Sequence, residues 1–303
     1  MGQLIEHPPQ QAVMDEYLQS LPSMNLEPLW DKLGSMVPAS PNPVSVPFIW
    51  KYNKVLPYLS KAGHLVPEEE AERRVLMLVN PAMKIQNGCT DKFRGAIHYG
   101  HHIRWATACE SRRNSTSTSP LEGKKLPLTR GDVVVTPSWH WHDHGNESDS
   151  PVIWLDALNL PLFTYARVNF AEGYAEKRYP SVLGDTADWL HPWSKAKNAL
   201  DNDGSSHVIY HYTYGDGKPL STTLGVQAEK IQAGTETTIV QDASSFLYHC
   251  YEGQGRTVVM PPNGDTQIIH WASRDTFAIP AWSKIQHFNE SSEPAYLVAI
   301  HDG

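Results

Sequence analysis

Cysteine is scarce in this chain. Cys89, Cys109 and Cys250 are the only three among 303 residues, too few and too scattered for a disulfide framework or a Cys-x-x-Cys zinc site. A reducing, cytoplasmic setting is the expectation that follows. Positive charge is short as well: a formal net charge of −8 lacks the basic footprint that a nucleic-acid partner requires. No run reaches the roughly 18 apolar residues of a membrane-spanning helix, and the N-terminus shows no basic stretch leading into an apolar core. Position 6 is Glu6, where an N-myristoylation signal needs Ser or Thr. Neither nucleic acid nor membrane is expected as a partner.

What the chain does have is an internal repeat. The stretch Gly131 to Asp156, GDVVVTPSWHWHDHGNESDSPVIWLD, returns from Arg274 as RDTFAIPAWSKIQHFNESSEPAYLVA. At an offset of 143 residues, the separation of Asp132 from Asp275, Pro137, Trp139, His144, Asn146, Glu147, Ser148 and Pro151 meet Pro280, Trp282, His287, Asn289, Glu290, Ser291 and Pro294. Two similar domains of ordinary size follow from such self-similarity. The copies part where metal chemistry would sit: His140-Trp-His142-Asp-His144 in the first, Ser283-Lys-Ile285-Gln-His287 in the second. One half is chemically equipped and the other reads as scaffold, with His287 a structural or supporting residue.

Local patterns fill in the rest. Residues 10–36 carry helical spacing, interrupted at Pro22 and ended near Gly34, as an N-terminal helical arm. PASPNPVSVP (38–47) cannot be helix. KYNKVLPYLSKAG then predicts a short helix with its stop at Ala62-Gly63, and Pro67 opens another. From Arg74 on, short runs rich in Val, Ile, Leu and Trp, punctuated by Gly, Pro, Asn and Asp, read as strands of a sandwich or barrel. SRRNSTSTSP (111–120) has no alternation and predicts a loop.

The 15 histidines cluster at 98–102, 140–144 and 207–211, while His64, His191 and His270 read as ordinary surface or core residues. Alternate residues of a strand share a face, so His140, His142 and His144 can point the same way. With Asp143 and Asp156 near, they suit a divalent transition metal. Equally, they could hydrogen-bond one another in a wet barrel mouth.

Gly131-x5-Pro137-x4-His142-x3-Asn146 resembles the second motif of the cupin superfamily of small β-barrels, except that Trp139 stands where glycine is usual. TPSWHWHDHGN followed by VIWLDALNLPL resembles more narrowly the gentisate 1,2-dioxygenase family, with salicylate and 1-hydroxy-2-naphthoate dioxygenases among its relatives. NLEPLWDKL, PFIWKYNKVLPYLSKAG and AERRVLMLVNPAM support it in the same order. The resemblance implies an all-β fold with peripheral helices, two cupin β-barrel or jelly-roll domains in tandem. Expected boundaries are a helical arm over 1–70, a first barrel over 71–165, a connection with helical fragments over 166–205, and a structural second barrel over 206–303.

It also implies a chemistry: ring cleavage of a hydroxylated aromatic carboxylate by O2 at an Fe(II) centre, in a homo-oligomer, a tetramer by family. His142 matches an iron ligand, His144 and Asp156 match residues of the catalytic pocket, Arg73 or Arg74 a substrate-binding arginine, and His98 a substrate-contacting position. The departure lies in 100–121. The family has His-x-His there, whereas this chain reads GHHIRWATACESRRNSTSTSPL, with Cys109 and Ser111 at the expected places and a shortened spacing from His98 to His142. His101 and His102 are the available substitutes, but neighbours on a strand face opposite ways, so at most one of them would reach the metal. An impaired bicupin that only binds a small molecule is the competing expectation.

Overall fold

The computed structural model describes residues 10–65, 75–83, 94–95, 102–109, 117–118, 121–137, 139–142, 145–146, 152–176, 180–184 and 188–303, with backbone only at 94–95, 102–109, 117–118, 145–146 and 152. Two compact units emerge, Met1–Asn42 and Pro43–Gly303. The first is helical: Gln10–Ser20, a 3-10 turn over Leu21–Met24, and Leu29–Met36. The second helix runs through Gly34, since a single glycine lowers helix propensity by only about 1 kcal/mol.

Within the second unit the repeat seen in the sequence is a repeat of strands. Val133–Thr136 and Thr276–Ile279 correspond residue for residue, as do Val152–Leu158 and Ala295–His301. Each pair brackets a central strand, His102–Cys109 in the first barrel and Phe246–Glu252 in the second, and all pairings are antiparallel. A second sheet faces each: Ser117–Thr118 between Pro127–Leu128 and Gly145–Asn146 in the first, and Gln254–Met260 between Gln267–Ala272 and Lys284–Asn289 in the second. Two tandem β-barrels with peripheral helices are thus present, as the resemblance implied. Ser117–Thr118 corrects the loop expected there, because ladder bonding is a backbone matter and requires no apolar alternation.

Each main sheet is finished by a strand from outside its own half. Phe48–Trp50, from the segment read as arm, pairs with Thr276–Ala278 of the second barrel. Leu190–His191, from the segment read as connection, pairs with Val133–Val134 of the first. Both added strands run straight into a helix, Tyr52–Leu65 and Trp193–Asn202. The former continues past Ala62-Gly63, and the segment opened by Pro67 lies outside the described residues.

The repeated aspartates are the joints. Asp132 Oδ1 accepts the Trp193 N–H at 2.9 Å, while Oδ2 accepts the Thr129 N–H and hydroxyl at 2.8 and 2.9 Å. Asp275 Oδ1 accepts the Tyr52 N–H at 2.9 Å, and Oδ2 accepts the Ala272 N–H at 3.0 Å and Lys51 Nζ at 2.8 Å. A helix N-terminus exposes unpaired N–H groups and a partial positive charge. Each aspartate supplies the acceptor that the added segment lacks and closes its own turn with the other oxygen.

Alternation divides the cores. Val133, Val135 and Ala157 join Val226, Ala228, Ala278, Val298 and others in a core between the barrels. Val134 packs inside the first barrel with Leu121, Leu126 and Leu128, and Phe277, Ile279, Ile285 and Trp271 pack inside the second. No helix among the described residues is long and apolar enough to cross a membrane.

Replacing Asp275 with Ala strands two backbone N–H groups and an ammonium group, a loss of about 3 kcal/mol. Differential scanning calorimetry should show Tm lower by roughly 6–12 °C for a chain of this size, and an unchanged Tm would mean the joint contributes nothing.

Candidate functional site

The interior of the first barrel takes shape from a two-residue hairpin. Leu121 pairs with Lys124 across Glu122 and Gly123, whose φ values of 46° and 75° are both in the left-handed region, the requirement of a type I′ turn. Leu121, fully buried, also pairs with His142. The loop before His142 is pinned from the same hairpin: Glu122 N–H donates to the Trp141 carbonyl at 2.9 Å, and the Glu122 carboxylate accepts the Trp141 N–H at 2.6 Å. Glu122 is a positioning residue that motif matching did not single out. Its signal was the Glu-Gly pair itself.

Trp139 sits at φ 66° and its counterpart Trp282 at φ 62°. This is the backbone region that side chains disfavour and glycine occupies freely, which accounts physically for the glycine usual at this point of the motif. The Trp139 indole is 83% exposed and packs edge-on against Phe170, with ring centroids 4.8 Å apart.

His142 is half-buried, and its Nδ1 lies 3.3 Å from the His140 carbonyl oxygen. A carbonyl can only accept, so Nδ1 carries the proton and the lone pair is on Nε2, the state in which imidazole binds a metal. The donor chemistry at this position therefore fits a divalent ion. Asp156 is buried on the strand Val152–Leu158. Its neighbours Leu155 and Ala157 face the core between the barrels, which turns Asp156 into the first barrel.

The ladder orders the central strand relative to these groups. His102 stands opposite Thr136 on one side and Leu158 on the other, and Arg104 stands opposite Val134 and Asp156. Directly opposed residues share a sheet face, and Val134 belongs to the first barrel's interior. His102 and Arg104 thus occupy interior register positions. Arg73, Arg74, His98, His101, Asp143 and His144 lie outside the described residues. Among the described residues no group of three His, Cys, Asp or Glu side chains converges in a way that could hold a metal.

The second barrel shows what the same positions become without that chemistry. Ile285 replaces His142 inside an apolar cluster. His287 is buried, its Nδ1 2.7 Å from the Thr257 hydroxyl, which also accepts the Trp271 indole N–H at 2.9 Å. Burial holds the His287 ring down to about 4 against the opposing pull of Glu229. Burial likewise takes His249 to about 3, aided by Arg130 and Arg274, and His191 to about 4, aided by Lys195. Glu229 is buried too. Its hydrogen bond to His207, at 2.9 Å, and the neighbouring His287 outweigh the effect of burial and bring it down to about 2. His191 therefore reads as the core residue expected, while His64 and His270 are exposed.

Comparisons with known proteins agree with this architecture. A cupin domain family matches residues 117–158. A gentisate 1,2 dioxygenase 1 of Aquipseudomonas alcaligenes is 28% identical, covering 95% of this chain and 92% of its own. A 5-aminosalicylate 1,2-dioxygenase of a Comamonas species is also 28% identical, over 96% of this chain and 87% of that protein. Among solved structures, a salicylate 1,2-dioxygenase from Pseudaminobacter salicylatoxidans superposes with a TM-score of 0.81 at 22% identity, covering 99% of this chain and 95% of the other. A variant of that enzyme in complex with gentisate gives 0.82 at 23% identity, over 98% and 93%.

Three buried imidazoles with depressed values set an acid limit. From pH 6.5 down to about 4 the unfolded chain takes up protons that the folded His191, His249 and His287 refuse, so stability falls across that window. The Glu229 contribution is lost only below its unfolded value of 4.5. Tm measured from pH 8 to pH 4.5 should hold level to about 6.5 and then decline, and replacing His249 with Gln should flatten the decline. A level profile down to pH 4.5 would show that these rings are not held neutral.

Proposed function

We propose that this chain, a bicupin related to the gentisate 1,2-dioxygenase family, opens the ring of a hydroxylated aromatic carboxylate of the gentisate type with O2 at a non-haem Fe(II) site in its first barrel. The observation that carries the reading is His142: one ring nitrogen is committed to the His140 carbonyl, and the ring is fixed to the barrel wall by its pairing with Leu121. Ferrous iron bound there would supply a Lewis-acid centre with open positions for substrate oxygens and for O2.

The remaining roles belong to the chain's own groups. His142 would be one ligand. His102, at an interior register position opposite Thr136, would be a second, with His101 or His98 the further imidazoles available. An arginine, Arg73 or Arg74, would bind the substrate carboxylate through two parallel hydrogen bonds, and His98 would contact the ring. His144 would exchange a proton with the second ring hydroxyl, and Asp156 would orient that pocket. A cytoplasmic homo-oligomer, tetrameric as in relatives, is part of the proposal. It is supported by the apolar side chains that the helix Leu29–Met36 leaves exposed, namely Leu29, Trp30, Leu33 and Met36.

A second reading is favoured by one observation, the missing His-x-His in 100–121: a bicupin that binds a small molecule without turning it over. The two separate in one preparation reconstituted anaerobically with ferrous salt. About one iron per chain, with oxygen uptake on gentisate that His142→Ala abolishes, is expected for the dioxygenase. Substoichiometric iron and no uptake would establish the impaired bicupin.

A further inference from the structure

Twice in the second barrel a buried histidine is fixed by a threonine directly opposite it in the ladder. His249 stands across from Thr276, and its Nδ1 lies 2.9 Å from that hydroxyl. His287 stands across from Thr257, with 2.7 Å between the same atoms. One pair faces the first barrel and the other lies inside the second. They show that cross-strand neighbours at this spacing bring a threonine hydroxyl and an imidazole nitrogen into contact.

A third pair of the same composition sits in the first barrel: His102 opposite Thr136. Thr136 is 1% exposed, and its hydroxyl has no hydrogen-bond partner, an arrangement that is costly for a buried polar group. The corresponding pair in the second barrel is Phe246 opposite Ile279, both apolar. Between the copies the two positions have changed together, from an apolar pair to a hydroxyl and an imidazole. Neither Thr136 nor the pair belongs to the motif that identified the site.

We infer that Thr136 is a positioning residue whose hydroxyl hydrogen-bonds one ring nitrogen of His102 and so fixes that ring's tilt and tautomer. The inference rests on the reading of His102 as a metal ligand. With one nitrogen committed to Thr136, the other carries the lone pair toward the barrel interior, the part that the His140 carbonyl plays for His142.

The test uses the full chain with Thr136→Val, which keeps shape and removes the hydroxyl, and Thr136→Ser, which restores it. Anaerobic ferrous titration should show affinity about 10- to 100-fold weaker in the valine variant and within a few-fold of the parent in the serine variant. Tm of the metal-free valine variant should be equal or higher. In metal-free protein labelled with 15N-histidine, one hydrogen-bonded imidazole signal should vanish in both Thr136→Val and His102→Gln. If His102→Gln loses iron but Thr136→Val does not, and the signal persists in the latter, His102 is a ligand and the inference is wrong. If the parent takes up no iron, the reading of the site fails, and loss or persistence of the imidazole signal still decides whether the pair exists.

Discussion

Two carboxylates hold this architecture together. Asp132 and Asp275 lie at equivalent points of the repeat, just ahead of Val133–Thr136 and Thr276–Ile279. Each answers the unpaired N–H at the start of a helix that enters from the other half of the chain. The interaction is local in each case, yet through it every main sheet acquires its outer strand, and through the strand its covering helix. Trp193 continues the joint into the core between the barrels, packing against Tyr251 with ring centroids 4.3 Å apart. Gly131 lies so close under the Trp193 ring that a Cβ there would meet it at 2.7 Å, so the residue before Asp132 must be glycine for the helix to seat.

Where a property follows from neighbours in sequence, it was legible. The repeat placed the strands beginning at Val133, Val152, Thr276 and Ala295, because alternation and turn residues are local signals. The departure of Trp139 from glycine was readable too, though its meaning as a positive φ needed coordinates. What escaped was the added strands. Phe48–Trp50 and Leu190–His191 are only three and two residues long and derive their identity from partners far away in the chain. The helix starting at Tyr52 outran Gly63, since its length answers to packing rather than to propensity. At the site, His142 and Asp156 were visible as residue types, whereas Glu122 and Thr136 matter through pairing partners that no motif names.

The two barrels differ most at their interior-facing positions. Thr136, His142 and Asp156 in the first correspond to Ile279, Ile285 and Ala299 in the second, all three of them buried in its apolar cluster. The scaffold positions have hardly moved: the aspartates, the prolines after the strands and the left-handed tryptophans recur. A shared frame tolerates opposite interiors because inward side chains touch one another more than they touch the frame.

The exchanged outer strands also set a timetable. Tyr52, beside Phe48–Trp50, leaves the ribosome 223 residues before Asp275 exists to receive it, an interval of roughly 10–45 s at ordinary rates of synthesis. During that time a short apolar strand waits without its partner, the condition in which chains stick to one another. Pro47 immediately before it and Lys51 and Lys54 after it are residues that discourage such pairing. The second barrel, chemically silent, is therefore the part whose completion ends the vulnerable phase of the nascent chain.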